Sequence, residues 1–219
     1  MVFAFDLDDT LYTEMDFVRS GYRAVSAILA SGSTLDAGSY FEGISRHRPL
    51  GFEWALEKYF QHSGKDIDMS VDKMIELYRA HTPDISLRSG AGEALARLKD
   101  GGHTLVLITD GSTRHQRSKI RALGLEDIFD DILISEETGG DKTTDVPWSI
   151  VEKRYGGDGQ RMVYIGDNMT KDFHLPRLRG WRTIMMLDTA GSNVFAQDIV
   201  STRPEYRPDT IMKSFKYII

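Results

Sequence analysis

Five short apolar runs punctuate the chain: Val2–Leu7, Thr104–Thr109, Asp131–Ile134, Met162–Ile165 and Thr183–Leu187. Each has the length of a strand and is rich in β-branched residues. Near-continuous apolar runs of this kind, without polar alternation, predict parallel strands buried on both faces. Helical patterns separate the last four. Glu93–Lys99 precedes the second run and Thr113–Leu123 follows it; Val146–Tyr155 precedes the fourth and Thr170–Arg179 follows it. Strand and helix in alternation predict an α/β fold built on a doubly wound parallel sheet.

The spacing holds one anomaly. From the second run onward the strands start about 20–30 residues apart, as a βαβ unit requires, whereas about 100 residues separate the first run from the second. The excess reads as helices. Thr13-Glu-Met-Asp16 is similar to a capping box with Asp in the place of Glu or Gln. Phe17, Tyr22, Val25, Ile28 and Leu29 then recur at helical spacing up to Gly32. Leu35–His47, Phe52–Gln61 and Ser70–His81 read as three more helices. The predicted organisation is therefore a core of residues 1–13 and 85–219 with a four-helix insert, 14–84, after the first strand. The tail from Ser192 ends in a helical pattern at Asp209–Tyr217, to which the sequence assigns no role.

Composition removes several classes of function. The 219 residues carry a net charge of −6, which argues against a bulk basic surface that grips a nucleic acid polymer. There is no Cys, so disulfides, thiol nucleophiles and Cys-ligated zinc are excluded. No apolar run has the roughly 18–20 residues of a membrane-spanning helix. The start MVFAFDLDD lacks the basic and apolar regions of a signal peptide, so the expectation is a cytoplasmic protein with no membrane partner.

In open α/β sheets the ligand site lies beyond the carboxyl ends of the strands. The first run ends in Asp6-Leu-Asp8-Asp9-Thr10, the second in Thr109-Asp110-Gly111-Ser112, and the fourth in Gly166-Asp167-Asn168, with Asp172 five residues after Asp167. Any one of these acids could simply cap the helix that follows it. Together they form a rim of carboxylates whose mutual repulsion is relieved by a proton or by a hard divalent cation. Mg²⁺ suits such a rim, because it takes one or two carboxylates and keeps water for a phosphate. A carboxylate beside a cation can attack phosphorus, and a second one two residues on can serve as acid and base; Asp6 and Asp8 have that spacing. Thr109 offers a hydroxyl and Gly111 an unhindered amide to phosphate oxygens, and Lys142 a positive charge.

These residues match a family. Phe5-Asp6-Leu-Asp8-Asp9-Thr10-Leu11-Tyr12 resembles the first signature of the haloacid dehalogenase superfamily, in its phosphatase branch. Ile108-Thr109-Asp110-Gly111 is similar to the second signature, Lys142 to the third, and Gly166-Asp167-Asn168-Met-Thr-Lys-Asp172 to the fourth. The resemblance implies a Rossmann-like sheet with a small helical cap. It implies Asp6 as a nucleophile that becomes phosphorylated and Asp8 as general acid and base. Mg²⁺ would be held by Asp6, the backbone carbonyl of Asp8 and Asp167. Thr109, Asp110, Gly111 and Lys142 would surround the phosphoryl group. Asp172 would orient Lys142 or a metal-bound water, with Asn168 in support. The substrate would be a small phosphorylated metabolite, a nucleoside monophosphate or a sugar phosphate, met by Arg19 and Tyr22 of the cap. One departure stands out: Lys142 is followed by Thr143-Thr144 where the family has Pro, which leaves Lys119 and an outward-pointing Lys171 as alternatives. Asp8 argues against a dehalogenase. The absence of Lys between Asp9 and Glu57 argues against Schiff-base phosphonate hydrolysis. A phosphomutase on the same core and a non-catalytic binding module remain as other readings.

Overall fold

Val2–Phe5 is buried at every position and forms β1, the strand around which the sheet is laid. The computed structural model describes residues 1–63, 69–156 and 159–218. Within them β1 pairs in parallel with β2 (Thr104–Thr109) on one side and with β4 (Met162–Gly166) on the other, Val2 standing opposite both Thr104 and Met162. β3 (Asp131–Ile134) flanks β2, and β5 (Arg182–Met186) and β6 (Thr210–Met212) extend the other edge. The order β3-β2-β1-β4-β5-β6, parallel throughout, is that of a doubly wound Rossmann-type sheet. Its reversal of direction falls between β1 and β4, where such folds bind ligands.

The β6 strand corrects the helical pattern expected at Asp209–Tyr217. Asp209 Oδ2 accepts bonds of 2.9 Å from both the amide and the hydroxyl of Thr183, which pins the chain alongside β5. Only a single 3₁₀ turn, Phe215–Tyr217, follows. The helix expected over Thr170–Arg179 is also shorter than its pattern.

Chain contacts divide the protein into two units, residues 1–15 with 85–219, and residues 16–84. In the first, helices α5 (Ala91–Asp100), α6 (Thr113–Ala122), α7 (Ser135–Thr138), α8 (Val146–Tyr155) and α9 (His174–Leu178) connect the strands. Trp148 and Trp181 meet edge to face at 5.5 Å in the core beside Tyr164 and Val106, so both tryptophans are packing residues.

The second unit holds most of α1 (Glu14–Ser31), with α2 (Ala37–Arg46), α3 (Gly51–His62) and α4 (Val71–Ala80). Asp36 caps α2 through the Ser39 amide at 2.9 Å, and Ser70 caps α4 through the Lys73 amide at 3.1 Å. Val25 and Leu29 of α1 pack on Tyr40, Ile44, Ala55, Tyr59 and Met74. Gly43 lets α2 approach α3 closely, since a Cβ there would lie 1.9 Å from the Trp54 ring. Among the described residues no helix is long and apolar enough to cross a membrane.

Candidate active site

The carboxyl ends of β1, β2 and β4 bring Asp6, Thr109 and Asp167 together in one cleft of about 140 Å³, which Asp8, Asp9, Glu14, Asp110, Lys142, Asn168, Lys171 and Phe195 also line. That is below the roughly 300–1,000 Å³ of a drug-sized pocket, and fits a small charged head group.

Asp6 is buried at the strand end, where its amide donates to Ile165 O at 2.8 Å. Its Oδ1 lies 2.8 Å from Lys142 Nζ. The same ammonium lies 2.7 Å from Asp172 Oδ1. Lys142 is itself 4% exposed; burial opposes its charge, but the two carboxylates beside it hold its pKa well above the ordinary value. Of the three candidate lysines, Lys142 is the one whose ammonium pairs with Asp6. Lys119 lies instead 2.7 Å from Asp8. Lys171 does not point outward: it reaches into the cleft and pairs with Asp110 Oδ2 at 3.3 Å.

Asp172 is fully buried and its carboxylate is saturated. Oδ1 takes Lys142 and the Tyr164 hydroxyl, 3.2 Å away. Oδ2 accepts the amides of Asp167 at 3.0 Å and Asn168 at 2.8 Å. Together with Asn168 Oδ1, which accepts the Thr170 amide at 3.0 Å, these bonds fold residues 167–172 into a turn. That turn explains why α9 starts only at His174.

One ligand oxygen from each of Asp6, Asp167 and Asp172 lies within 4.8 Å of the others. Burial raises Asp6 from 3.8 to about 7, with the charge of Asp172 adding to it against the pull of Lys142. Burial first, then Asp172 and Asp6, raise Asp167 to about 9. Three carboxylates thus face one lysine, and the deficit of positive charge suits a divalent cation with oxygen ligands. Since Asp172 has no oxygen unengaged, Asp6 and Asp167 are the side chains that fit such an ion.

The Asp8 carboxylate does not join this trio. It turns to α6, where Oδ1 meets Lys119 and the Tyr12 hydroxyl, and Oδ2 accepts from Gln116 Nε2 at 2.9 Å. Burial opposes its ionisation, but Lys119 and these donors outweigh burial and keep its pKa below the ordinary value. Gln116 also bonds the Thr109 hydroxyl, so the two strand-end groups share one amide. Asp110 Oδ1 accepts the Lys142 amide at 3.0 Å and fixes the loop that carries the lysine. The Gly111 amide, expected to face phosphate, donates to Ser135 Oγ at 2.9 Å instead. Gly111 adopts φ 138°, a conformation that favours glycine.

Arg19 is exposed and pairs with Asp16 at 3.4 Å. Tyr22 packs edge-on to Phe52, with ring centres 5.7 Å apart, and against Tyr78 at 5.8 Å. Both belong to the 16–84 unit.

Sequence reasoning missed a set of residues around the rim. Asp9, at the non-glycine φ of 55°, accepts the amides of Glu14 at 2.8 Å and Val194 at 2.6 Å. It is Asp9, rather than the Thr13 box, that holds the Glu14 amide at the start of α1. Asn193 donates to Asp167 Oδ2 at 2.9 Å, and Gln197 to Asp167 O at 3.0 Å. The part of the tail left without a role therefore begins as a wall of the site.

The chain belongs to the haloacid dehalogenase-like hydrolase family, whose model matches residues 1–173. It is 29% identical over 197 residues to a glyceraldehyde 3-phosphate phosphatase of Methanocaldococcus jannaschii, covering 84% of this chain and 83% of that protein. It is 28% identical over 199 residues to a ribulose-1,5-bisphosphate 5-phosphatase of Halopiger xanaduensis, covering 83% and 82%. Its fold matches that of YfnB from Bacillus subtilis, solved bound to magnesium, with a TM-score of 0.63 at 21% identity over 98% of this chain and 95% of that one.

The raised carboxyls set a pH dependence. In the folded protein Asp6 and Asp167 keep protons that the unfolded chain releases near pH 3.8. Their contribution to stability is full below that pH and is lost as pH climbs through about 7 and about 9. A cation held by these carboxylates would replace those protons. The rise in melting temperature on adding Mg²⁺ to EDTA-treated protein is therefore expected to grow between about pH 6 and pH 9, reaching on the order of 5 °C at a hundredfold excess over Kd. Thermal melts across that range check it; a shift that is independent of pH contradicts it.

Proposed function

We propose that this protein is a Mg²⁺-dependent phosphatase of a small phosphorylated metabolite, working through an aspartyl-phosphate on Asp6. The observation that carries the reading is the Asp6 carboxylate beside both Lys142 and the acidic trio. Asp6, Asp167 and the backbone carbonyl of Asp8 would hold the cation. Bound there, Mg²⁺ supplies positive charge against the repulsion between a carboxylate and a phosphate.

Asp6 Oδ2, whose nearest partner is the Thr10 hydroxyl at 3.5 Å, is the oxygen free to attack phosphorus. As its bond to phosphorus forms, the bond to the leaving alcohol breaks. Lys142 and Thr109 neutralise and bind the phosphoryl oxygens. Asp8 gives a proton to the leaving oxygen, then takes one from the water that attacks the phosphorus and frees Asp6. Lys119, Gln116 and Tyr12 favour the carboxylate form of Asp8, which the first transfer leaves and the second needs; the proton for the first transfer is taken up from solvent against that preference. Arg19, the more exposed of the two cap candidates, would meet an anionic or sugar part of the substrate, because the Tyr22 ring is committed to packing.

The named activities of the two relatives favour a sugar phosphate over a nucleoside monophosphate. Phosphate release from a panel of both classes, with p-nitrophenyl phosphate as a general probe, tests this in Mg²⁺ and in EDTA. The expected result is turnover in Mg²⁺ alone, with the highest kcat/KM on a sugar phosphate. No metal-dependent release from any compound would favour a binding module, and isomerisation without release a mutase.

A further inference from the structure

We propose that Asn193 is a positioning residue for the cation site, acting through Asp167 from a segment that lies after the family match ends at residue 173. The inference rests on the reading that Asp6 and Asp167 hold a divalent cation.

The loop after β5 is built to carry this side chain. Asp188 Oδ2 accepts the Asn193 amide at 2.7 Å, and Asp188 Oδ1 that of Ala190 at 3.0 Å. The Asp188 amide donates to Gln197 Oε1 at 2.7 Å, so the two ends of the loop are tied together. Gln197 Nε2 ties them further to Asp167 O and to Met186 O, 2.9 Å away. Asp9 holds the next residue, Val194, by its amide.

The direction of the Asn193 side chain is settled by its neighbours. Arg88 Nη2 lies 2.7 Å from Asn193 Oδ1, and the same nitrogen donates to Asp9 O at 2.9 Å. A guanidinium only donates, so Asn193 must turn its oxygen to Arg88 and its NH₂ to Asp167. The Asp167 carboxylate accepts that NH₂ through Oδ2. Among the described residues Oδ1 of Asp167 takes no protein hydrogen bond. The amide therefore fixes the rotation of that carboxyl, leaving one oxygen for the ion. Bonds from outer residues to a metal ligand commonly set affinity by about 10–100-fold.

The test is Mn²⁺ binding to the metal-free full-length protein, read by the paramagnetic resonance of the free ion, beside thermal melting in EDTA. Asn193→Ala, and Asn193→Leu, which keeps the side-chain volume without the donor, are expected to bind Mn²⁺ about 10–100-fold more weakly while melting as the wild type does in EDTA. Saturating Mg²⁺ is expected to restore most of kcat. Affinity within about twofold of wild type in a folded variant overturns the proposal. So does loss of the melting transition in both variants, which makes Asn193 structural. Wild-type protein that binds no Mn²⁺, or Asp167→Asn that binds it as well as wild type, instead overturns the underlying reading of the site.

Discussion

Asp6→Asn is expected to lose at least about 10⁴-fold in kcat while the protein stays folded. The two effects separate because the substitution changes one property only. Asn has the shape of Asp but cannot form an acyl-phosphate, so the route through a covalent intermediate is closed. Stability is spared for a reason visible at the strand end. Burial raises the Asp6 pKa to about 7, so the folded metal-free protein tolerates a neutral group at this position. An uncharged amide also removes a negative charge facing Asp167 and Asp172. Lys142 keeps Asp172 as its partner at 2.7 Å. Steady-state kinetics on the best substrate and a melt in EDTA check both halves. Activity within tenfold of wild type contradicts the assignment of the nucleophile.

Lys142→Met has the opposite character, since both stability and turnover fall. Methionine fills most of the volume and supplies no charge. Asp6 and Asp172 then face each other in a buried site without their shared cation. Removing one partner of a buried ion pair costs about 3–5 kcal/mol, because the remaining charge is left without compensation. For a chain of this size that corresponds to a drop of roughly 10 °C in melting temperature. Loss of a group that neutralises the transferring phosphoryl group lowers kcat by about 10²–10³-fold as well. Mg²⁺ is expected to recover part of the stability and little of the rate. Denaturation curves in EDTA and in Mg²⁺, paired with kinetics, test this; a variant as stable as wild type in EDTA contradicts the account of the lysine.

The parts of this protein legible in its sequence are those where one physical rule dominates a short stretch. Buried parallel strands must be apolar along their length, so β1 to β5 stand out. Strand ends in such a sheet face the ligand, so Asp6, Thr109 and Asp167 could be placed on one rim before any coordinate was known. β6 escaped because three residues carry too little pattern, and its pairing depends on Asp209 reaching Thr183. The shortened α9 escaped because the turn that displaces it depends on where the Asp172 carboxylate points. Lys142 lacks the Pro that follows it in the family, yet the Asp110 side chain and the Trp148 indole, which donates to Lys142 O at 3.2 Å, hold its backbone directly. Asn193, Arg88 and Gln197 were invisible for a different reason. They are single polar residues remote in the chain from the partners they meet: Asn193 and Gln197 reach Asp167 from 26 and 30 positions away, and Arg88 reaches Asn193 from 105. Asp8 lines the same cleft, but its tie to Lys119 across 111 positions of sequence could not be read from spacing.

The central claim is that the crowded acidic rim makes Asp6 an attacker of phosphorus once a divalent cation is present. Rapid acid quench during turnover, reduction with borohydride and peptide mass mapping addresses it most directly, since an acyl-phosphate is reduced to an alcohol at the residue that carried it. The account predicts homoserine at position 6, formed in Mg²⁺ with substrate and missing in EDTA. Steady turnover with position 6 unmodified, or modification at another aspartate, would contradict it.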